Sequence, residues 1–221
     1  MSIQHVGYIH ILNYVFGYAH NVYAKYQCYN GLTIVLWRLP MQNMSKRSFF
    51  RYAFYKLSPD WRALPSEDRK SIKIEFSTVI EKYADQLVVK SYRLSGTRAD
   101  VDFMLWIISP TLELLDELAS SINTTELGKY LSMPYSYLSM SRRSSYIDDH
   151  SHSNQSSHKN NKTTFSPYLF VYPFVKSHEW YQLPKRARQE IMTQHFEIGH
   201  KYPSVRISTS YSFGLDDQEF V

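Results

Sequence analysis

What most restricts the fold is that the chain repeats itself. A strand-like run, FFRYAFYKL at 49–57, is followed by Trp61, Leu64-Pro65 and Arg69. A second run, YLFVYPFVK at 168–176, is followed at the same gaps by Trp180, Leu183-Pro184 and Arg188. Each copy continues with a segment of helical period and then a strand that ends at a glycine turn. This reads SYRLSG-TRAD-VDF in the first copy and TSYSFG-LDD-QEF in the second. Agreement at one of these places is chance; agreement at three, in one order, marks a duplicated unit. A strand–helix–strand–strand unit used twice predicts an α+β fold of paired ferredoxin-like halves, a dimeric α+β barrel.

Within the first copy, Ile72, Phe76, Val79, Ile80 and Tyr83 fall at helical spacing. VDFMLWIIS at 101–109 reads as a strand. A second helix opened by Ser109-Pro110 is expected to bury Leu112, Leu115, Ala119 and Ile122, and YSYLSMS closes the unit. In the second copy Tyr168, Phe170, Tyr172, Phe174 and Lys176 share one strand face, with Leu169, Val171, Pro173 and Val175 on the other. A loop carrying Trp180 leads to a helix from Leu183-Pro184 to Gly199. On that helix Ala187, Ile191 and His195 lie four apart and Met192 three before the histidine, which puts His195 on the apolar face. From these residues alone it is read as buried, either a satisfied core histidine or a ligand. The second copy stops at Val221, inside the strand that matches VDFML, so the reading expects a truncated second unit with an open sheet edge.

Four segments follow from this pattern: an unassigned extension at 1–43, a first half at 44–142, a linker at 143–166 and a second, incomplete half at 167–221. The extension has no period. Its apolar part, IHILNYVFGYAHNVY, has neither a basic start nor a small-residue cleavage site, so no signal peptide is read there. Met44 or Met41 is the expected natural start. The linker is rich in Ser, His, Asn and Lys and cannot bury enough apolar surface to order itself. His150, His152 and His158 within it are weak metal candidates, because no cysteine or carboxylate spacing accompanies them.

Composition excludes several classes of protein. The 221 residues are 43% hydrophobic, enough for a core, with no apolar run long enough for a membrane helix. A net charge of +5 comes from scattered basic residues, which indicates no nucleic-acid surface. The single cysteine, Cys28, excludes an internal disulfide and fits a reducing, cytoplasmic setting. Aromatics at 16%, nineteen of them tyrosines, suit a pocket for a planar ligand as well as ordinary sheet.

YPFVKSHEWYQLP followed by QHFEIGHKYP resembles the C-terminal half of the chlorite dismutase-like haem proteins, most of all their actinobacterial-type coproheme decarboxylase branch. The resemblance spans roughly residues 47–221. It implies that His195 is the proximal iron ligand and Tyr172 the redox-active residue. Phe174 and Lys176 would share the strand face of Tyr172, with Lys176 near a propionate. Phe220 stands where that branch carries a tryptophan against the porphyrin. Tyr146 matches the aromatic four residues before the distal histidine, which points to His150 as distal base, with His152 nearly as well placed. The implied reaction is peroxide-driven decarboxylation of iron-coproporphyrin III (coproheme, both substrate and cofactor) to haem b, in a ring-shaped homo-oligomer, usually a pentamer. Haem peroxidase and chlorite dismutase activity are further possibilities within the family. The distal arginine of chlorite dismutation matches Ile207 or Ser208, with Arg206 adjacent, so that activity is not expected. A non-enzymatic haem-binding or haem-sensing protein, and a scaffold without ligand, are the readings from other classes.

Overall fold

A computed structural model describes residues 47–142, 144, 146 and 168–221, together with the backbone of residues 3–5 and 10–13. The N-terminal pieces are two short strands, β1 (Ile3–His5) and β2 (His10–Asn13). The first half then runs β3 (Phe49–Leu57), α1 (Pro59–Ala63), α2 (Ser66–Glu81), β4 (Val88–Arg93), β5 (Phe103–Ser109), α3 (Leu112–Asn123), a 3₁₀ turn at Leu127–Tyr130 and β6 (Leu131–Met140). Its sheet order is β6-β3-β5-β4, every neighbour antiparallel. Fourth, first, third and second strands side by side is the ferredoxin-like arrangement that the repeat predicts.

Alternation along β3 divides the sheet into two faces. Ala53 and Tyr55 join Phe103, Leu105 and Ile107 of β5 under the helices, where Phe76 and Ile80 of α2 and Leu115, Leu118 and Ile122 of α3 complete one core. Tyr52, Phe54, Tyr92 and Met104 point the other way into a second core with Val171 and Val221. The second helix opens later than expected. Thr111 is its N-cap, the hydroxyl accepting from the Leu114 N–H at 3.3 Å, while the Ser109 hydroxyl is bonded to the Thr111 backbone. The buried arc is therefore centred between Leu115 and Leu118. Leu112 falls at its margin in the first turn and is exposed, and Ala119 is half-buried.

The second half comprises β7 (Tyr168–Val171), β8 (Phe174–Lys176), α4 (His178–Gln182), α5 (Lys185–His200) and a hairpin turning at Gly214. The expected single strand over 168–176 is interrupted at Tyr172-Pro173, where proline brings no N–H to the ladder. The two faces survive the break: Val171 and Pro173 are buried, Tyr168, Phe170 and Tyr172 exposed. Trp180, expected in a loop, is the buried residue of α4. Gly214 has φ +73°, a backbone conformation glycine adopts without steric cost.

The strands close on themselves. β7 pairs β2 from His10↔Val171 to Asn13↔Tyr168, and β2 meets β4 at Asn13↔Arg93. On the other side Phe174 of β8 bridges Phe220, Phe220 bridges Tyr211, and Tyr211 bridges Met140 of β6. A sheet running β6-β3-β5-β4-β2-β7 thus returns to β6 through the C-terminal hairpin, with the second core inside. Polar side chains dock the hairpin on β6. The Leu138 N–H donates to Asp216 at 2.7 Å, the Ser212 hydroxyl donates to the Leu138 carbonyl at 2.7 Å, and the Ser139 and Ser210 hydroxyls meet at 2.7 Å. Among the described residues no helix is long and apolar enough to cross a membrane.

Candidate functional site

The duplication locates the site. Corresponding residues lie 119 positions apart from the strand through the helix. They pair Ala53 with Tyr172, Tyr55 with Phe174, Leu57 with Lys176, Trp61 with Trp180 and Phe76 with His195. After the shorter turn Phe103 corresponds to Phe220. The backbones agree closely. Pro65 before α2 has φ −52° and ψ 151°, Pro184 before α5 has φ −56° and ψ 150°, and both helices are sixteen residues long. Side chains agree as well. Tyr55 stacks on Phe103 at 5.1 Å and 20°, and Phe174 on Phe220 at 4.9 Å and 16°. Asp102 accepts the Leu57 N–H at 2.8 Å, and Glu219 accepts the Lys176 N–H at 2.9 Å.

Burial is where the copies part. In the first, Ala53, Tyr55, Trp61, Phe76 and Phe103 are all core residues of one cluster, and Phe76 is fully enclosed. In the second, Tyr172 is 42% exposed, His195 is exposed, and α5 has no buried residue. Positions that the first half fills with the apolar side chains Ala53, Leu57 and Phe76 carry in the second a phenol, an ammonium group and an imidazole. Residues that break the core rule in one of two equivalent places mark a candidate binding site.

His195 opens onto a cleft of about 190 Å³ whose other lining residues are Ile198, Gly199, Tyr202, Val205 and Ile207. The apolar face assigned from periodicity is present, but the expected burial is not, because nothing among the described residues covers that side of α5. Gly199 stands where the first copy has Ile80 and has no atom within 4 Å of a Cβ position, so the wall is cut back there. The imidazole makes no hydrogen bond to another described residue, its nearest ring contact being Phe196 at 6.0 Å.

Lys176, on β8, is not among the residues that line this cleft. Its Nζ sits 3.9 Å from the ring centre of Trp180, 5.3 Å from Phe220 and 5.6 Å from Tyr146. Burial, opposed by Glu219 and assisted by Arg188, pulls its pKa down to about 8. Tyr146 packs edge-on against Trp180 at 6.3 Å, and its carbonyl accepts from the Gln189 side chain at 3.1 Å. His150, with its neighbours His152 and His158, lies outside the described residues. Trp180, Tyr181, Glu219 and Arg188 also surround Lys176, and sequence reasoning did not select them as site residues. The repeated tryptophan was the available signal for Trp180; the other three had none.

The lysine carries a testable cost. Its pKa falls from an ordinary 10.5 to about 8, so the folded chain binds fewer protons than the unfolded one between those pH values. The penalty is complete below pH 8 and fades as pH rises towards 10.5. Lys176→Met removes the charge and keeps a side chain that packs on aromatics. It should stabilise the protein at pH 7 by on the order of 1 kcal/mol after screening, and by progressively less towards pH 10.5. Thermal unfolding at pH 7 and pH 10 is the measurement, and equal midpoints at pH 7 contradict the account.

These side chains meet the demands of an iron porphyrin: one nitrogen donor without a competing hydrogen bond, apolar and aromatic surface for the ring, and cations at the edge for its carboxylates. Fold and site together define a duplicated ferredoxin-like α+β barrel with a histidine cleft in its second half. The family model described as chlorite dismutase matches residues 69–221, and the chain belongs to that family, whose members are oligomeric haem enzymes. Chlorite dismutase from Candidatus Nitrospira defluvii, in an arginine-to-alanine mutant, is 27% identical with a TM-score of 0.71, over 78% of this chain and 74% of that one. The same enzyme in complex with imidazole is 26% identical with a TM-score of 0.69, over 78% and 74%. A tryptophan-to-phenylalanine mutant of it, in complex with cyanide, gives 26%, 0.69, 78% and 73%.

Proposed function

We propose that this protein is a peroxide-dependent coproheme decarboxylase, converting iron-coproporphyrin III into haem b. One observation carries the reading: His195 and Tyr172 stand at positions whose counterparts in the first half are the core residues Phe76 and Ala53, and Lys176 at that of Leu57, which packs against the same core. A ligand nitrogen, an oxidisable phenol and a carboxylate-binding cation are the three groups this reaction needs.

Iron in the bound porphyrin supplies the reduction of hydrogen peroxide. The chain does the rest. His195 would hold the metal through one ring nitrogen, while the half-buried Phe174, stacked on the buried Phe220, would offer an aromatic face to the macrocycle. Tyr172, once oxidised, takes a hydrogen atom from the β-carbon of a propionate. Carbon dioxide leaves and a vinyl group remains. Each propionate thereby loses two electrons, balanced by reduction of one hydrogen peroxide to two waters. Lys176 orients the carboxylate. His150 takes the proton of the incoming peroxide, a role suited to a group titrating near neutrality. Tyr146, four residues before it in sequence, packs on Trp180 beside Lys176, which supports that placement. His152 is the alternative base. The resemblance matches the arginine of the chlorite reaction to Ile207 or Ser208, neither of them arginine, so decarboxylation is favoured over chlorite chemistry. Assembly into a homo-oligomer, a pentameric ring, belongs to the same proposal.

Protein reconstituted with coproheme and titrated with hydrogen peroxide tests it. Mass spectrometry of the porphyrin should record stepwise loss of two carboxyl groups. Bleaching without either product would identify a haem-binding protein instead.

A further inference from the structure

Four charged or polar groups of the second half gather behind Phe220: Lys176 on β8, Tyr181 on α4, Arg188 on α5 and Glu219 on the hairpin. Glu219 is already engaged, accepting the Lys176 backbone N–H at 2.9 Å and the Tyr181 hydroxyl. Neither cation has a carboxylate within ion-pair distance among the described residues. The Lys176 ammonium rests on aromatic rings instead. The Arg188 Nε is buried without a hydrogen-bond partner, although the two cations lie close enough for Arg188 to repel a proton from Lys176. A buried guanidinium N–H left unpaired is costly, and two partly desolvated cations against one engaged carboxylate leave excess positive charge.

The first half makes the contrast. There Asp102, the counterpart of Glu219, has Lys56 at 3.4 Å and Arg62 at 3.7 Å, so its charge is balanced locally. In the second half Tyr181 replaces Arg62 and Lys176 replaces Leu57. The arginine of the helix is common to both copies, as Arg69 and Arg188.

We infer that Lys176 and Arg188 form a two-cation clamp for one carboxylate of the substrate, with Arg188 the anchoring residue that favours a porphyrin rich in free carboxylates. The inference rests on the porphyrin reading given above. Arg188 precedes His195 by seven residues, two helical turns or about 10 Å along the same face of α5. That span is comparable with the reach from a porphyrin's iron to its propionate carboxylate. The planar guanidinium can give two parallel hydrogen bonds to a carboxylate, whereas Lys176 contributes a point charge.

Metal-free coproporphyrin III separates this clamp from iron ligation and from turnover, and its binding to the full chain can be followed by quenching of tryptophan fluorescence. Arg188→Ala should weaken it about tenfold or more, with Arg188→Lys restoring only part because the fork is lost. Because the two cations share one carboxylate, the effects of Arg188→Ala and Lys176→Met should fall short of additive when combined. Coproporphyrin tetramethyl ester should bind the parent weakly and be indifferent to Arg188→Ala. That arm needs no variant to fold: a parent that binds ester and free acid equally overturns the clamp. So does Arg188→Ala with the parent's affinity for the free acid, and in either case the haem reading stands. A parent that binds no porphyrin of either kind overturns the functional reading and the clamp together.

Discussion

His195→Ala should abolish or severely weaken haem binding while leaving the chain folded, seen as loss of the Soret band after reconstitution with an unchanged far-ultraviolet spectrum. The two halves of the expectation have separate physical grounds. Folding survives because α5 contributes no buried residue and His195 is exposed, so truncation opens no cavity. The same change at its counterpart Phe76, fully enclosed by both helices and the sheet, would cost about 3–5 kcal/mol. Binding fails because His195 is the one donor nitrogen lining the apolar cleft, and the other lining residues offer only hydrocarbon, a glycine and a tyrosine. Added imidazole, small enough for the space left behind, should restore part of the band. An intact Soret band in the variant without imidazole would remove His195 from the ligand role.

Much of this was legible in the sequence because duplication supplies its own control. Trp61 and Trp180, each with a proline four residues on, marked where each helix begins, and the structure returns nearly the same dihedrals at Pro65 and Pro184. Alternation in 168–176 correctly separated the inward Val171 and Pro173 from the outward Tyr172, even though proline splits the strand. What stayed hidden depends on distant partners. β2 has no period of its own, yet it lies between β4 and β7. Glu219 and Arg188 read as ordinary charged residues, since their meaning comes from Lys176 being brought beside them. His195 misled in one respect. Helical spacing reports which face a residue occupies but not whether anything covers that face, so an apolar stripe was taken for a buried one.

Tyr172→Phe should bind coproheme with the parent's affinity and lose decarboxylation by two orders of magnitude or more. The substitution deletes one oxygen and nothing else. Ring packing against Phe174, at 5.8 Å and 32°, is retained, and a residue 42% exposed leaves no core cavity. Stability and substrate affinity should therefore hold within about 0.5 kcal/mol. The chemistry should not, because only the phenolic O–H can yield a hydrogen atom and later recover one from the propionate; a phenyl ring has no bond weak enough. Position favours this tyrosine over its neighbour. The Tyr181 hydroxyl donates to Glu219, and burial together with that carboxylate pushes its pKa upward, which opposes loss of the proton that accompanies oxidation. Tyr172 is 42% exposed, and its hydroxyl makes no hydrogen bond to another described residue. Two measurements decide it: the coproheme dissociation constant of the variant, and the mass of its porphyrin after stepwise peroxide. Unchanged affinity with unreacted coproheme is the expected pair. Normal conversion to haem b would show that another residue carries the hydrogen transfer, and weak binding would make Tyr172 a binding residue instead.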